Sequence, residues 1–391
     1  MVKNMARGSA LSIASALIGY AGWHGEVYGL VFLPFLFFIW RKCQSRTEVF
    51  SALLAYYLVA GRGLLLGGGV FFSTPAEPPS WLIGAAVWVL PSALLSLAWA
   101  GCWGQKHRGL RLLVLLAVLS LPPLGIIGWA NPITAAGALF PALAWYGLAL
   151  TLVLFYVLTA APYLALALPF VVLAVGLNLS NAEPSIQPGW ISIDTSFGAS
   201  RGTGDEFLKL KTLQRLVSVQ SASAPSGTIF VLPELVGGDW AVNRTWWTQA
   251  HAGLAAKKQT LLIGVSEQED QTTLQYTNKL VSIGENENVS LVDRVPVPVA
   301  MWKPWTDEGV IAPWFQSGVG LVGTTRVAHL ICYEQLLIWP VLISMGNSPD
   351  IILGASSVWW AKGTSIPAIQ HEAMASWGRL FNKPVVSARN I

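Results

Sequence analysis

"VAHLICYEQLL", residues 327–337, decides how the second half of this chain is read. Val327 to Ile331 is an apolar run interrupted only by His329, and it reads as a buried strand. Cys332 stands at its end and Glu334 follows two residues later. The chain has only three cysteines in 391 residues. A thiol at a strand end, beside a carboxylate, asks for a chemical reason.

Outward from this strand the same grammar repeats. "GWISIDTSFG" reads as a strand and turn, and "FLKLKTLQRLVSVQSA" (207–222) has apolar residues at helical spacing. Stretches 227–235, 258–268, 278–284, 348–357 and 383–390 read as further short buried strands, and 369–382 reads as a helix. Helices alternating with apolar strands argue for a layered α/β domain, and about 200 residues suffice for a real core.

The first half is different. Residues 1–182 hold 12 of the 44 charged side chains, and the whole chain is 53% hydrophobic and 11% charged. A soluble domain carries about 25% charged residues. The expectation is a multi-pass helical membrane domain at 1–181, followed by a water-facing α/β domain at 182–391. Candidate spans of about 20 residues are 9–23, 27–40, 50–73, 80–101, 110–129, 136–158 and 162–180. That makes seven, with six or eight also compatible with the pattern. Lys3, Arg7, Arg41, Lys42, Arg46, Lys106, Arg108 and Arg111 fall on one side when 9–40 is a hairpin, whereas the loops at 74–79 and 130–135 hold no Lys or Arg. Basic loops face the cytoplasm. The N-terminus is therefore expected inside and, with seven spans, the polar half outside. A signal peptide at 1–23 is the competing reading, but a second apolar span follows at once with no clear cleavage site. Arg62 is the charge placed well inside a span, and its simplest reading is a bundle-facing or snorkelling side chain. So little intramembrane charge argues against an ion or proton carrier. The net charge of +4, without a basic run, argues against nucleic acid as a partner.

Glu234 closes "IFVLPE" as Cys332 closes "VAHLIC". A carboxylate and a thiol at the ends of two core strands can converge as general base and nucleophile. The plainer alternatives stand beside this: buried cysteine is commonly a small hydrophobe, and a strand-end Glu commonly bonds a loop. Cys43 and Cys102 fall near cytoplasmic span ends, so on this topology neither reaches Cys332, which is left as a single thiol without a disulfide partner.

The stretches "FVLPEL", "YTNKLVSIGENENVSLVDRVPVPVAMW", "HLICYEQLL", "PDIILGASSVWW" and "QHEAMASWGRLFNKPVVSARN", in that order over 190–391, resemble the nitrilase superfamily of carbon–nitrogen hydrolases. Its members use a Glu–Lys–Cys triad on an αββα sandwich. The whole chain resembles the apolipoprotein N-acyltransferases, inner-membrane enzymes with a periplasmic nitrilase domain. Within that family it is most similar to conjugal-transfer proteins of rhizobial and agrobacterial plasmids. The resemblance implies Cys332 as nucleophile and Glu234 as general base. It puts Arg294 in the lysine column, with Lys303 of "MWKPW" as a substitute. It puts Met301 where the acyltransferase lid has a glutamate, with Glu308 nearby and Trp302 beside it. Glu334 and Trp359 join the expected substrate-side set. An arginine in place of lysine can stabilise an oxyanion but cannot shuttle protons. A further departure is the end at Ile391, where the family continues with more strands and a membrane helix.

Eleven of 19 tryptophans lie in the polar half. Indole favours lipid interfaces, so Trp240, Trp246, Trp247, Trp302, Trp305, Trp314, Trp359 and Trp360, in loops after the candidate strands, mark either a cleft mouth at the headgroups or ordinary packing. The expected activity is amide hydrolysis or N-acyl transfer through a thioacyl-cysteine. No metal or organic cofactor is implied. The expected partners are the phospholipid bilayer, a phospholipid acyl donor, an amine acceptor and proteins of a conjugation apparatus. The alternative is a non-catalytic scaffold of the same fold. A Cys332→Ala chain separates the two, because a scaffold keeps its function at normal abundance.

Overall fold

The structure is a computed structural model describing residues 2–73, 80–181, 184–185, 187–199, 202–268 and 273–391. The loop at 74–79 and the domain boundary expected at 182 lie outside these described residues.

Among the described residues, the short apolar runs of the second half form ten strands in two sheets. The first sheet holds β1 (Trp190–Ser192), β2 (Ile229–Val231), β3 (Thr260–Gln268), β4 (Leu274–Gly284) and β5 (Ser290–Val292) in that order. β6 (Glu308–Val310) also pairs with β4. The second sheet runs β10 (Val385–Asn390), β9 (Ile351–Ser357), β8 (Thr325–Ile331), β7 (Val319–Val322). Side chains alternate faces along a strand, and here both faces are apolar because both are covered. Val231, Leu262 and Leu280 of the first sheet meet Val327, Ile331, Leu353 and Ala388 of the second in one dry layer. The opposite face of the first sheet (Phe230, Leu261, Ile263) packs on the helices Thr203–Ser223 and Thr248–Ala256 through Leu213, Val217 and Leu254. The opposite face of the second (Ala328, Leu330, Ile352) packs on the helices Ile338–Gly346 and Ile366–Phe381. The result is the layered α/β domain expected from the strand–helix alternation, arranged as the αββα sandwich that the resemblance implied.

The N-terminal half is helical but more broken than seven clean spans. Trp81–Cys102 is one continuous helix long and apolar enough to cross a membrane. Residues 50–73 instead lie in two helices, Arg46–Ala60 and Leu64–Phe71, bent by 62° where Gly61-Arg62-Gly63 interrupts them. Val2–Gly22 has the length, but its first turns carry Lys3, Asn4 and Arg7. The second expected span is a 3₁₀ turn, Val27–Phe32, then the helix Phe35–Lys42 after Pro34. The fifth ends at Ser120, ahead of Pro122 and Pro123. The seventh is a 3₁₀ turn, Leu164–Ala167, running into the helix Leu168–Ser180. The sixth departs most. Residues 129–141 are buried in short turns, and only Ala144–Ala160 is a regular helix. Proline removes a helix donor and clashes with the preceding turn, which accounts for the breaks at 34, 122–123 and 141. Arg62 is bundle-facing: Nη1 donates to the carbonyls of Trp23 and Val59, and the guanidinium lies 4.9 Å over Tyr20.

The buried 129–141 segment is a seat for the helix Ile366–Phe381. A Cβ on Gly137 would fall 1.7 Å from the Ser376 carbonyl oxygen, so only glycine permits this approach. Arg379 from the same helix donates to Asn178 Oδ1 at 2.6 Å and lies 4.8 Å over Tyr28. Glu372 accepts from the Gly25 N–H at 2.9 Å, and its other oxygen is buried without a partner. Burial pushes the Glu372 carboxyl up to about 8. A carboxyl that holds its proton more tightly when folded stabilises the fold below its ordinary value of 4.5, and loses that contribution as pH rises to about 8. Apparent melting temperature should therefore fall between pH 5 and 8. Glu372→Gln should flatten that slope, read by thermal unfolding in detergent across the range.

Candidate active site

β2 and β8 end side by side in the sandwich and deliver Glu234 and Cys332 to one another. Cys332 is buried and its backbone is left-handed, φ 47°. A non-glycine residue in that region costs energy and persists only where its surroundings impose it. The Cys332 thiol and the Glu234 carboxyl lie close enough that each shifts the other's ionisation. Glu234 is aimed by two donors: Asn278 Nδ2 to Oε1 at 2.7 Å, and the Ser357 N–H, at the end of β9, to Oε2 at 2.9 Å. β3 leaves room for this loop only because residue 264 is glycine. A Cβ there would lie 2.1 Å from the Pro233 carbonyl oxygen and 2.6 Å from the Glu234 Cα.

Glu334 does not face a substrate space, which corrects the expectation. It is fully buried and bonds backward. Oε2 accepts from the Ile331 N–H at 2.9 Å, and Oε1 accepts from the Arg294 N–H at 3.0 Å and from Arg294 Nε at 2.8 Å. Arg294 is corrected with it. Its remaining nitrogens donate to the carbonyls of Gln316, at 3.2 Å, and Pro340, at 3.3 Å. Neither Glu234 nor Cys332 is among its partners. The guanidinium is spent on holding the β5–β6 connection against the Cys332 turn.

The residue that faces Glu234 is the one before it. Asp293 Oδ2 accepts from Asn278 Nδ2 at 3.0 Å, so a single amide bridges the two carboxyls. Asp293 Oδ1 accepts from the Val295 N–H at 3.1 Å. Burial, with Glu334 and Glu234 adding to it, holds Asp293 well above the usual carboxylate range. Burial raises Glu234 also, against the opposing effect of the neighbouring Cys332 thiol and the hydrogen bonds from Asn278 and the Ser357 N–H. Cys332 is pushed well above an ordinary thiol, by burial first and then by the charge of Glu234. A raised carboxyl beside a neutral thiol suits proton transfer from sulfur to oxygen during attack rather than a standing thiolate.

Among the described residues, no hydrogen bond or ion pair joins the other expected residues to this pair. Lys303 is 3.6 Å from Glu308, both partly exposed. Met301 sits in a turn, its carbonyl accepting from the Val310 N–H. Trp302 stacks edge-on against Trp314 at 4.8 Å. Trp359 opens a short turn after Ser357, and its neighbour Trp360 packs on Phe71 at 5.0 Å. Trp247 is core, whereas Trp246 and Trp305 are exposed. Asn278, Asp293 and Gly264 were not singled out from sequence. Asn is depleted in strands, so an Asn on the same face as the core residue Leu280 was the legible signal. Among the described residues no group of His, Cys, Asp and Glu is arranged to hold a metal ion.

No family model matches the chain. It is 32% identical over 391 residues to a probable conjugal transfer protein TraB of Sinorhizobium fredii, covering 97% of both chains. It is 32% identical over 405 residues to the conjugal transfer protein TraB of Agrobacterium fabrum, covering 98% of this chain and 93% of that one. Among solved structures it overlaps an amidase of the nitrilase superfamily from Nesterenkonia, with 13% identity and a TM-score of 0.32, over 43% of this chain and 63% of that one. It also overlaps a carbon–nitrogen hydrolase of Helicobacter pylori, with 11% identity and a TM-score of 0.31, over 42% and 58%. The chain thus spans less than two thirds of those structures, and the sandwich rests on its own strand order and two-sided core.

Breaking a buried ion pair from one side costs about 3–5 kcal/mol. Arg294→Met and Glu334→Gln should each destabilise the sandwich on that scale, measured as a fall in apparent melting temperature. An Arg294→Met chain that stays fully stable would return Arg294 to the list of free, reactive groups. Because the thiolate is the reacting form, iodoacetamide labelling of Cys332 should still be climbing above pH 9. Glu234→Gln removes a charge that raises the thiol and should speed labelling at pH 8.5.

Proposed function

The chain belongs to the TraB family of conjugal transfer proteins, and from that membership we propose that it is a membrane-anchored, nitrilase-like thiol enzyme serving plasmid transfer at the cell envelope. One observation carries the reading: Glu234, aimed by Asn278 and the Ser357 N–H, lies beside Cys332, whose backbone is held in the left-handed region. Glu234 takes the thiol proton as sulfur attacks an ester or amide carbonyl. The acyl group passes to sulfur, and the alcohol or amine leaves with a proton. An amine or water then attacks the thioester and restores the thiol.

Asp293, rather than Arg294 of the lysine column, is the side chain linked to Glu234 through Asn278. With its carboxyl held above the usual range by burial, it orients Asn278, and Asn278 orients Glu234. With Arg294 engaged elsewhere, charge on the tetrahedral oxygen falls to backbone N–H groups. Chemistry of this kind is slower than with a cation in place.

The multi-pass reading rests on exposure as well as composition. Leu94, Leu97, Leu113, Val171, Val172 and Leu179 point outward from the N-terminal helices, and apolar patches of that kind are covered by lipid or protein. Residues 1–181 would form the anchor in the bacterial inner membrane, with 182–391 on the periplasmic side. The short turn after β9 packs on the helix Leu64–Phe71 through Trp360, Gly67 and Phe71, which brings the Glu234 loop near an apolar helix and suits a phospholipid donor.

The absence of a cation among the partners of the pair favours one other reading, a scaffold that retains the fold without turnover. Intact-protein mass spectrometry separates them. The full chain in mild detergent, incubated with bacterial phospholipids, should gain a hydroxylamine-labile acyl mass that Cys332→Ala lacks. No adduct, together with normal conjugation by Cys332→Ala at normal abundance, would establish the scaffold.

A further inference from the structure

The helix Ile366–Phe381 lies between the N-terminal helices and the nucleophile, and its two faces make different contacts. An α-helix turns about 100° per residue, so positions four apart share a face and positions two apart oppose each other. Positions 368, 372, 376 and 379 form the face toward the N-terminal helices. A Cβ on Gly25 would fall 2.8 Å from the Ala368 Cβ, and Glu372 accepts from the Gly25 N–H. The Ser376 hydroxyl donates to the Thr134 carbonyl, and the Ser376 carbonyl lies against Gly137. Arg379 donates to Asn178 Oδ1 and to the Tyr28 hydroxyl.

Gln370 and Met374 point the other way. The Met374 methyl packs over Gly354 of β9, where a Cβ would lie 3.0 Å from it. Gln370 is buried, and its Nε2 donates to the Cys332 carbonyl oxygen at 3.2 Å. Its Oε1 is buried with no partner among the described residues. A buried amide with one end unsatisfied costs free energy that an apolar residue here would avoid. What the amide supplies is a second hold on the nucleophile. Glu334 fixes the Ile331 N–H just before Cys332, and Gln370 fixes the carbonyl just after its Cα. The left-handed φ of 47° lies between the two holds. We propose that Gln370 is a positioning residue for Cys332, and that the N-terminal helices set the nucleophile's geometry through it. Residues 1–181 are then part of the active site rather than an anchor alone.

The part in turnover rests on the thiol chemistry proposed above, whereas the hold on the Cys332 backbone does not. Freed from Gln370, Cys332 relaxes out of the left-handed region and its sulfur leaves Glu234. The carboxylate then no longer suppresses the thiolate.

Iodoacetamide labelling of Cys332 at pH 8.5 reads that geometry on the full chain in detergent, with Cys43 and Cys102 quantified in the same digest as references. Gln370→Leu should speed Cys332 labelling roughly two- to ten-fold, the size of one neutral hydrogen bond. Glu234→Gln, which speeds labelling of the parent chain, should add little in Gln370→Leu, because the sulfur has already left the carboxylate. Gln370→Asn keeps an amide that is one carbon too short, and should match Gln370→Leu. From the bundle side, Gly25→Ala presses on Ala368, and Asn178→Leu releases Arg379. Each should speed labelling of the parent chain and add nothing in Gln370→Leu. A full Glu234→Gln effect in Gln370→Leu, whichever way the rate itself moves, overturns the positioning role; it is the result expected if Gln370 only fills space. A parent chain indifferent to Glu234→Gln does the same, since no pair is then held. Bundle variants that leave the rate unchanged, or act in full without Gln370, overturn the part assigned to residues 1–181. A chain that shows these couplings yet gains no acyl mass from bacterial phospholipids keeps the positioning role and overturns the thiol-enzyme reading.

Discussion

Glu334 is the constraint on which the site depends. A fully buried carboxylate needs donors on both oxygens, and Glu334 finds them in three N–H groups from two segments. One is the Ile331 N–H, immediately before Cys332. The other two belong to Arg294, at the end of the β5 edge. The charge therefore clamps the nucleophile's turn to the neighbouring sheet and holds Cys332 in a conformation it would otherwise leave. A buried pair is weak evidence of stability in itself, and here its effect is geometric.

That clamp consumes the cation. Glu234, Asp293 and Cys332 are then left buried together, and among the described residues the donors to their carboxyls are the Asn278 amide and backbone N–H groups. Each group resists ionising beside the others. Electrostatics thus favour neutral sulfur and a carboxyl that accepts a proton readily. The same arrangement explains why an Asn sits in a strand. Its amide offers two N–H bonds, one to each carboxyl, where an apolar residue would leave both unpartnered.

The site is also tied to the helical half. Gln370 donates to the Cys332 carbonyl at 3.2 Å. The same helix carries Glu372 and Arg379 into the N-terminal helices. A shift of the bundle therefore reaches the nucleophile's backbone through one rigid element.

The strands, a layered α/β domain, and Glu234 and Cys332 as strand-end groups were legible because burial writes a period and a length into the chain, whereas the sandwich arrangement came from the resemblance. Helix breaks were less so. Hydropathy sums over a window, whereas Pro34, Pro122, Pro123 and Pro141 act at single positions. It also could not tell residues 129–141, buried under the helix Ile366–Phe381, from residues facing lipid. The motif column named Arg294 for the site, but neighbouring strand-end residues face opposite ways, and only the tertiary structure decided which faced Glu234. It turned Asp293 inward and Arg294 toward Glu334, because a charged guanidinium in a dry core goes where a carboxylate already waits. Sequence alone determined which elements form and which chemistry they carry. Pairing between charges distant in the chain, and the closeness of approach that glycine permits at 137 and 264, belonged to the fold, since neither quantity exists until the segments meet.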